Sequence, residues 1–462
     1  MIKDMTTGSP TKHILAFSIP LLIGNLFQQF YNMADTLIVG RTLGLDALAG
    51  VGATGGISFL VMGFVMGLTS GFAVITAQRF GAEDVDGVRR SAATSISLSI
   101  VAAVLLTVIA VLGVRPLLVF MQTPANIIEQ SYQYIVVIFA GIAASFFYNT
   151  LSNIIRALGD SRTPLYFLVI ASLLNIVLDL LFILTFHMGV AGAAFATVLA
   201  QIISGLLCLF YVKKRFPVLH LQKKDWRFNL SFALEHLKVG LPMALQFSIT
   251  AIGVMVVQWA LNGLGSSTIA AYTAASKVDM FASQPLQAFG VAMATYVAQN
   301  YGAGRLDRVR QGVHRCTIIT LVFSVVGLAL IFAIGGPVAS LFISGDTDGT
   351  VLAQARTYLN TVSIFYFALG MLLIYRNTLQ GMGQGLVPML AGVCELIMRI
   401  VAAVALSQLM GFTGICLANP VAWLGAMVWL GVAYFITMHK AKKIPQETVS
   451  AGDGAEPGEV AS

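Results

Sequence analysis

The chain has 462 residues, of which 57% are hydrophobic and only 10% charged, with a mean hydropathy of +0.85 and a net charge of +7. A soluble domain carries about 25% charged residues because its surface faces water, so these proportions exclude an ordinary globular protein and set much of the apolar surface against lipid. The basic excess does not point to nucleic acid, because Lys and Arg fall in alternate loops between apolar runs.

A membrane-crossing helix needs about 20 mainly apolar residues. Twelve such stretches are predicted, near 14–40, 47–76, 92–114, 128–155, 164–186, 190–212, 237–262, 268–297, 315–336, 353–375, 386–408 and 413–437. Backbone groups in hydrocarbon need internal partners, so the stretches read as helices, and the lack of period-two alternation argues against a transmembrane barrel. The first run, from Ile14, is too long for the core of a cleavable signal.

Basic residues cluster at Arg79, Arg89 and Arg90, at Arg156 and Arg162, through Lys213–Arg227, at Arg305, Arg308 and Arg310, and at Lys440–Lys443. About 22 of the 27 lie on that side of the predicted topology, against about three, Arg41, Arg115 and Arg356, on the other. The basic side is therefore expected to be cytoplasmic, with both termini inside a bacterial-type inner membrane. The expected organisation is an N-terminus at 1–13, an amino lobe at 14–212, a linker at 213–235, a carboxyl lobe at 236–438 and a tail at 439–462. That tail is acidic and rich in Gly, Ala and Ser from Gln446, a composition expected to be disordered. The four cysteines, Cys208, Cys316, Cys394 and Cys416, lack metal-like pairing and read as small core residues.

Shifting the chain by about 220 residues reveals a duplication. Ile19-Pro20-Leu21 falls on Leu241-Pro242-Met243, and Ala77-Gln78-Arg79-Phe80-Gly81-Ala82 on Ala298-Gln299-Asn300-Tyr301-Gly302-Ala303. Asn153, Gly159 and Pro164 match Asn377, Gly383 and Pro388. The offset spans six helices, an even number, so the copies enter the membrane in the same sense and form parallel repeats. Two such bundles rocking against each other suit alternating access; the plain alternative is a duplicated scaffold with no transport.

Ionisable residues within the spans are costly and each is a functional candidate. Asp35 and Asp179 are placed at a similar depth below the outer surface, with Asn175 one turn from Asp179 and Thr197 reaching the same level from helix 6. Their oxygens suit a small hard cation such as Na⁺, or a carboxyl pair that holds a proton. Each aspartate taken alone could instead serve structure, Asp35 by capping helix 2 or bonding Asn32 and Asp179 by bonding a neighbouring helix. Glu395 and Arg399, spaced i, i+4, read as a structural ion pair. Lys277 and Asp279 point apart on helix 8 and, with Gln246 and Gln284, are candidates for lining a carboxyl-lobe cavity, the alternative being that Lys277 pairs elsewhere. Pro20 and Pro242 sit near the cytoplasmic ends of helices 1 and 7, where a missing hydrogen bond permits a bend. No phosphate-loop motif and no H-E-x-x-H occur, so neither ATP hydrolysis nor intramembrane metalloproteolysis is expected, and no cofactor is called for.

The segments Ile19-Pro20, Asn25-Leu26-Phe27-Gln28-Gln29, Tyr31 to Thr36, Arg156 to Pro164, Asn175 to Asp179 and Gly192 to Thr197, in this order, resemble the multidrug and toxic compound extrusion (MATE) family over nearly the whole chain. The resemblance implies an all-α, V-shaped fold of two six-helix lobes acting as a Na⁺- or H⁺-driven antiporter. It implies an amino-lobe cation site at Asp35, Asn175, Asp179 and Thr197, with Asn149 from helix 4 and Asn153 as its substitute, and a bending role for Pro20. Another branch carries acids on helices 7 and 10; here helix 7 offers Gln246 and Thr250, and neither helix carries an acid. The expected partners are the bilayer and small drug-like, often cationic and lipophilic, compounds, handled by a monomer. A related two-lobe flippase for a lipid-linked precursor is the alternative, and it would call for a strongly basic cavity.

Overall fold

The computed structural model describes residues 3–343 and 349–442. The tail expected to be disordered lies outside the described residues. The amino lobe runs through α1 (Pro10–Leu43), α2 (Leu45–Ala53) continued by α3 (Gly55–Gly81), α4 (Val85–Phe120), α5 (Ile128–Ala140) with α6 (Ile142–Ala157), α7 (Arg162–Leu180) and α8 (Gly189–Arg215). The carboxyl lobe repeats this as α9 (Leu230–Asn262), α10 (Ser266–Gly302), α11 (Leu306–Leu330) with α12 (Gly336–Ser340), α13 (Thr350–Ser363) with α14 (Tyr366–Gly381), α15 (Leu386–Met410), and α16 (Phe412–Cys416) with α17 (Ala418–Lys442). The fourth pass of each lobe is broken at the same place, by 47° in both copies.

Among the described residues, nine helices are long and apolar enough to cross a membrane unaided, and the two bent pairs make eleven. The twelfth pass is α10, whose polar character has a structural cause. It packs against α1, α3, α13 and α14 and so is surrounded by protein rather than lipid. By contrast α4 turns Leu105, Ile109 and Leu112 outward and keeps Ser91, Ser95 and Ser99 buried one turn apart. Ser91 meets Thr76 at 2.8 Å and Ser99 accepts from Thr150 at 2.9 Å, so hydroxyls join α4 to α3 and α6 where lipid is excluded.

Several helices exceed their predicted limits because hydropathy reports only the apolar middle. α4 begins at Val85, capped by Asp84, whose carboxylate accepts from Gly87 N at 2.8 Å. The linker expected at 213–235 is shorter: α8 continues to Arg215 and Asn229 caps α9 through a 3.0 Å bond from Phe232 N. What remains is packed, with Phe216 buried and Asp225 facing Arg89 at 3.6 Å. His236 is fully buried in α9 and bonds Ser91 across the lobes at 2.9 Å.

The lobes meet on the side of the basic loops, where α3 packs against α9 and α10. Gly71 abuts Gly240, and no Cβ fits between them. Further toward the loops the duplicated segments make a reciprocal contact: Gly81 lies on the carbonyl of Gln299, and Gly302 on the carbonyl of Gln78. This is the self-complementary geometry of a two-fold interface, here within one chain. The N-terminal segment adds a strap. Lys3 N donates to Leu158 O at 3.1 Å, Met5 N to Gln299 Oε1 at 2.9 Å, and Arg308 donates to the carbonyls of Met5, Thr7 and Gly8 at 3.0–3.1 Å.

Candidate functional site

Asp35 on α1 and Asp179 on α7 face each other inside the amino lobe, 8% and 0% exposed. Their carboxyl groups lie within hydrogen-bonding reach of one another. With the Asn175 amide oriented so that both ends are satisfied, its nitrogen donates to Asp179 Oδ2 at 2.9 Å and its oxygen accepts from Thr197 N at 3.0 Å. Thr197 Oγ1 bonds Ala193 O at 3.1 Å and meets the Tyr31 hydroxyl at 3.3 Å. Oδ1 of both aspartates is buried and reached by no protein donor among the described residues. Two buried carboxylates in contact repel each other and are costly to desolvate, so the arrangement calls for a shared proton or a cation.

The structure thus brings Asp35, Asn175, Asp179 and Thr197 together. Asn149 is tied elsewhere, its amide nitrogen donating to Ser145 O at 2.8 Å. Asn153 spends its amide on Thr69 and Ser70. Sequence reasoning missed Tyr31, which is four residues before Asp35 on the same face of α1 and was available from that spacing.

α1 also forms one wall of a cavity of about 530 Å³ between the lobes. Gln29, Asn32, Met33, Thr36, Leu37, Gly40 and Arg41 line it from this helix, Leu48 from α2, Lys277, Met280 and Phe281 from α10, and Phe342 from beyond α12. Asn32, Thr36 and Gly40 follow one helical stripe, whereas Asp35 and Val39 follow another and are buried in the lobe. A single helix therefore separates the carboxyl pair from the cavity. α1 continues as helix through the buried Pro20. Beyond it, Asn25 Nδ2 donates to Gln284 Oε1 at 3.1 Å, so Gln284 ties α10 to α1.

The carboxyl-lobe charges divide differently. Lys277 faces the cavity, while Asp279 turns into the lobe and accepts from Tyr366 at 2.8 Å and Tyr358 at 3.4 Å. Glu395 pairs with Arg399 at 2.6 Å, but it also binds Arg376 at 2.7 Å, making a three-member cluster in place of the expected pair. Arg376 escaped the sequence reading because the predicted tenth span ended at residue 375, which assigned it to the basic loops; in the structure it lies inside α14 and is buried. Gln246 is also buried, accepting from Gln380 at 2.8 Å, and does not line the inter-lobe cavity.

Two parallel six-helix lobes enclosing a cavity between them define a two-lobe polytopic transporter fold. The chain belongs to the MatE family, whose model matches it twice, at residues 20–181 and 242–405, once for each repeat. It is 31% identical over 387 residues to the probable multidrug resistance protein YpnP of Bacillus subtilis, covering 82% of this chain and 84% of that protein. The probable multidrug resistance protein NorM of Thermotoga maritima is 26% identical over 82% of each chain, and an FAD transporter of Shewanella oneidensis 23% identical over 88% and 90%. Among solved structures, an outward-facing MATE transporter superimposes with a TM-score of 0.89 at 24% identity, covering 96% of this chain and 98% of that one. A MATE protein in a bent conformation gives 0.88 at 25% identity, covering 95% and 98%.

Proposed function

We propose that the protein is a secondary antiporter of the cytoplasmic membrane, with both termini inside, that exports small amphiphilic compounds in exchange for H⁺ or Na⁺. The observation that carries this reading is the carboxyl pair Asp35–Asp179, enclosed in the amino lobe with an oxygen on each side chain that has no partner among the described residues, and separated from the cavity by α1. Neutralising the pair removes its repulsion and alters how α1 packs against α7 and α8, which reshapes the cavity wall on the other face of the same helix. Ion and substrate then bind in opposition, and by linkage each weakens the other equally. The Asn175 amide presents its nitrogen to Asp179, an orientation that suits a shared proton; a Na⁺ ion at Asp35, Asn175, Asp179 and Thr197 requires the amide to turn its oxygen inward.

The gradient, rather than ATP, supplies the energy, and one chain holds both the coupling site and the cavity, so a monomer suffices. Purified protein in liposomes, given a fluorescent amphiphile and separately imposed pH and Na⁺ gradients, tests this. Efflux driven by one gradient and lost in both Asp35→Asn and Asp179→Asn is expected. Undiminished gradient-driven efflux in those variants would place coupling elsewhere.

A further inference from the structure

We infer that the compounds taken up by the inter-lobe cavity carry a negative group, as aromatic or aliphatic amphiphiles with a carboxylate, sulfonate or phosphate, or as zwitterions, held by Lys277 and Arg41. The inference rests on the export reading for its biological sense but not for its test. Among the described residues, the cavity wall includes two cations, Lys277 and Arg41, and no carboxylate. Both side chains are exposed, and neither has an acid within ion-pair distance among the described residues. Among the described residues, the three nearby intramembrane acids are turned elsewhere. Asp279, two residues from Lys277, is turned into the carboxyl lobe by the hydroxyls of Tyr366 and Tyr358, and residues spaced i, i+2 do not face each other on a helix. Asp35 and Asp179 are enclosed behind α1.

The cavity therefore presents a fixed positive field between apolar walls, where Met33, Leu37, Met280, Phe281 and Phe342 supply the hydrophobic contact. Low-dielectric walls focus such a field and raise the local concentration of the opposite charge. A lipophilic cation, the substrate expected from family resemblance, meets like charge there, which is a selective penalty as well as a missing attraction. Met33 from α1 and Met280 from α10 line the cavity with flexible thioethers, so the apolar end is accommodated without a fixed shape.

Binding of matched fluorophores to the intact protein in a non-ionic detergent tests this: 1-pyrenebutyrate against 1-pyrenebutylamine, which share the apolar body and differ in the sign of the charge. The wild-type protein is expected to bind the carboxylate more tightly. Lys277→Gln should weaken carboxylate binding by about tenfold, and Lys277→Glu should reverse the preference, with Arg41→Gln changing it in the same sense to a smaller degree. Because the Lys277 side chain is exposed and makes no ion pair among the described residues, these variants should keep wild-type melting temperatures; if Lys277→Glu fails to fold, Lys277→Gln and Arg41→Gln carry the test. A wild-type preference for the amine, or an order unchanged in all variants, overturns the inference. Carboxylate preference with no gradient-driven efflux of either probe from liposomes upholds the ligand class and refutes the antiport reading.

Discussion

The reciprocal contact of Gly81 and Gly302 gives a sharp test of how the lobes close. In Gly81→Ala or Gly302→Ala the added methyl overlaps a main-chain carbonyl oxygen of the opposite lobe, Gln299 or Gln78. Carbon and carbonyl oxygen sit comfortably at about 3.3 Å, so relief requires the helices to part by roughly an ångström or more. Overpacking of this kind costs about 1–3 kcal/mol. Here the strain need not unfold the protein, because it acts across an interface that alternating access would open. At about 1.4 kcal/mol per tenfold, the closed arrangement loses roughly fivefold to more than a hundredfold in population. Spin labels at Glu83→Cys and Asp307→Cys, both exposed beside the contact, report the separation by pulsed electron resonance; Cys394, the least buried native thiol, is replaced by Ser. Either alanine variant should shift the distribution toward longer distances, and to a similar extent, because the contacts are equivalent by repeat. Two variants with wild-type distances and wild-type melting temperatures would refute the reasoning.

Further outcomes follow from the same structure. Arg308→Ala removes the donors that hold the carbonyls of Met5, Thr7 and Gly8, so the Lys3–Ser9 strap should detach; limited proteolysis near the N-terminus should accelerate, and the loss of charge-assisted bonds should cost about 1.5–3 kcal/mol in detergent unfolding. Glu395→Gln leaves Arg376 and Arg399 buried without their shared carboxylate and should destabilise by about 3–5 kcal/mol, visible as a lowered melting temperature; an unchanged value would show that the cluster is not needed for folding. Asp179→Asn should abolish gradient-driven efflux while leaving the fluorophore preference set by Lys277 intact, because the two groups lie on opposite sides of α1; loss of that preference would contradict the separation. Gly205→Leu should fold poorly or not at all, since even a Cβ there overlaps the Phe147 ring, and expression as aggregate is the readout.

Much of this architecture is legible in the chain itself. Twelve apolar stretches, the alternation of basic loops and the offset of about 220 residues lead to two parallel six-helix bundles, because a helix satisfies its own backbone in lipid and hydropathy is a local property. The juxtaposition of Asp35 with Asp179 is readable in outline from depth alone, since rise per residue is fixed. What lies along other directions is not. Whether Asn149 turns toward the carboxyl pair or toward Ser145 O, and whether Glu395 serves one arginine or two, depends on the rotation and packing of neighbouring helices. The low hydropathy of α10 likewise has no local explanation, because it reflects enclosure by four other helices. Most of all, α1 presents two different faces, with Asp35 turned into the amino lobe and Asn32, Thr36 and Arg41 turned to the cavity. The sequence by itself determined that acids and bases would lie within the membrane; only the tertiary structure, by setting the rotation of each helix, decided that the acids are enclosed and that Lys277 and Arg41 are left facing the space between the lobes.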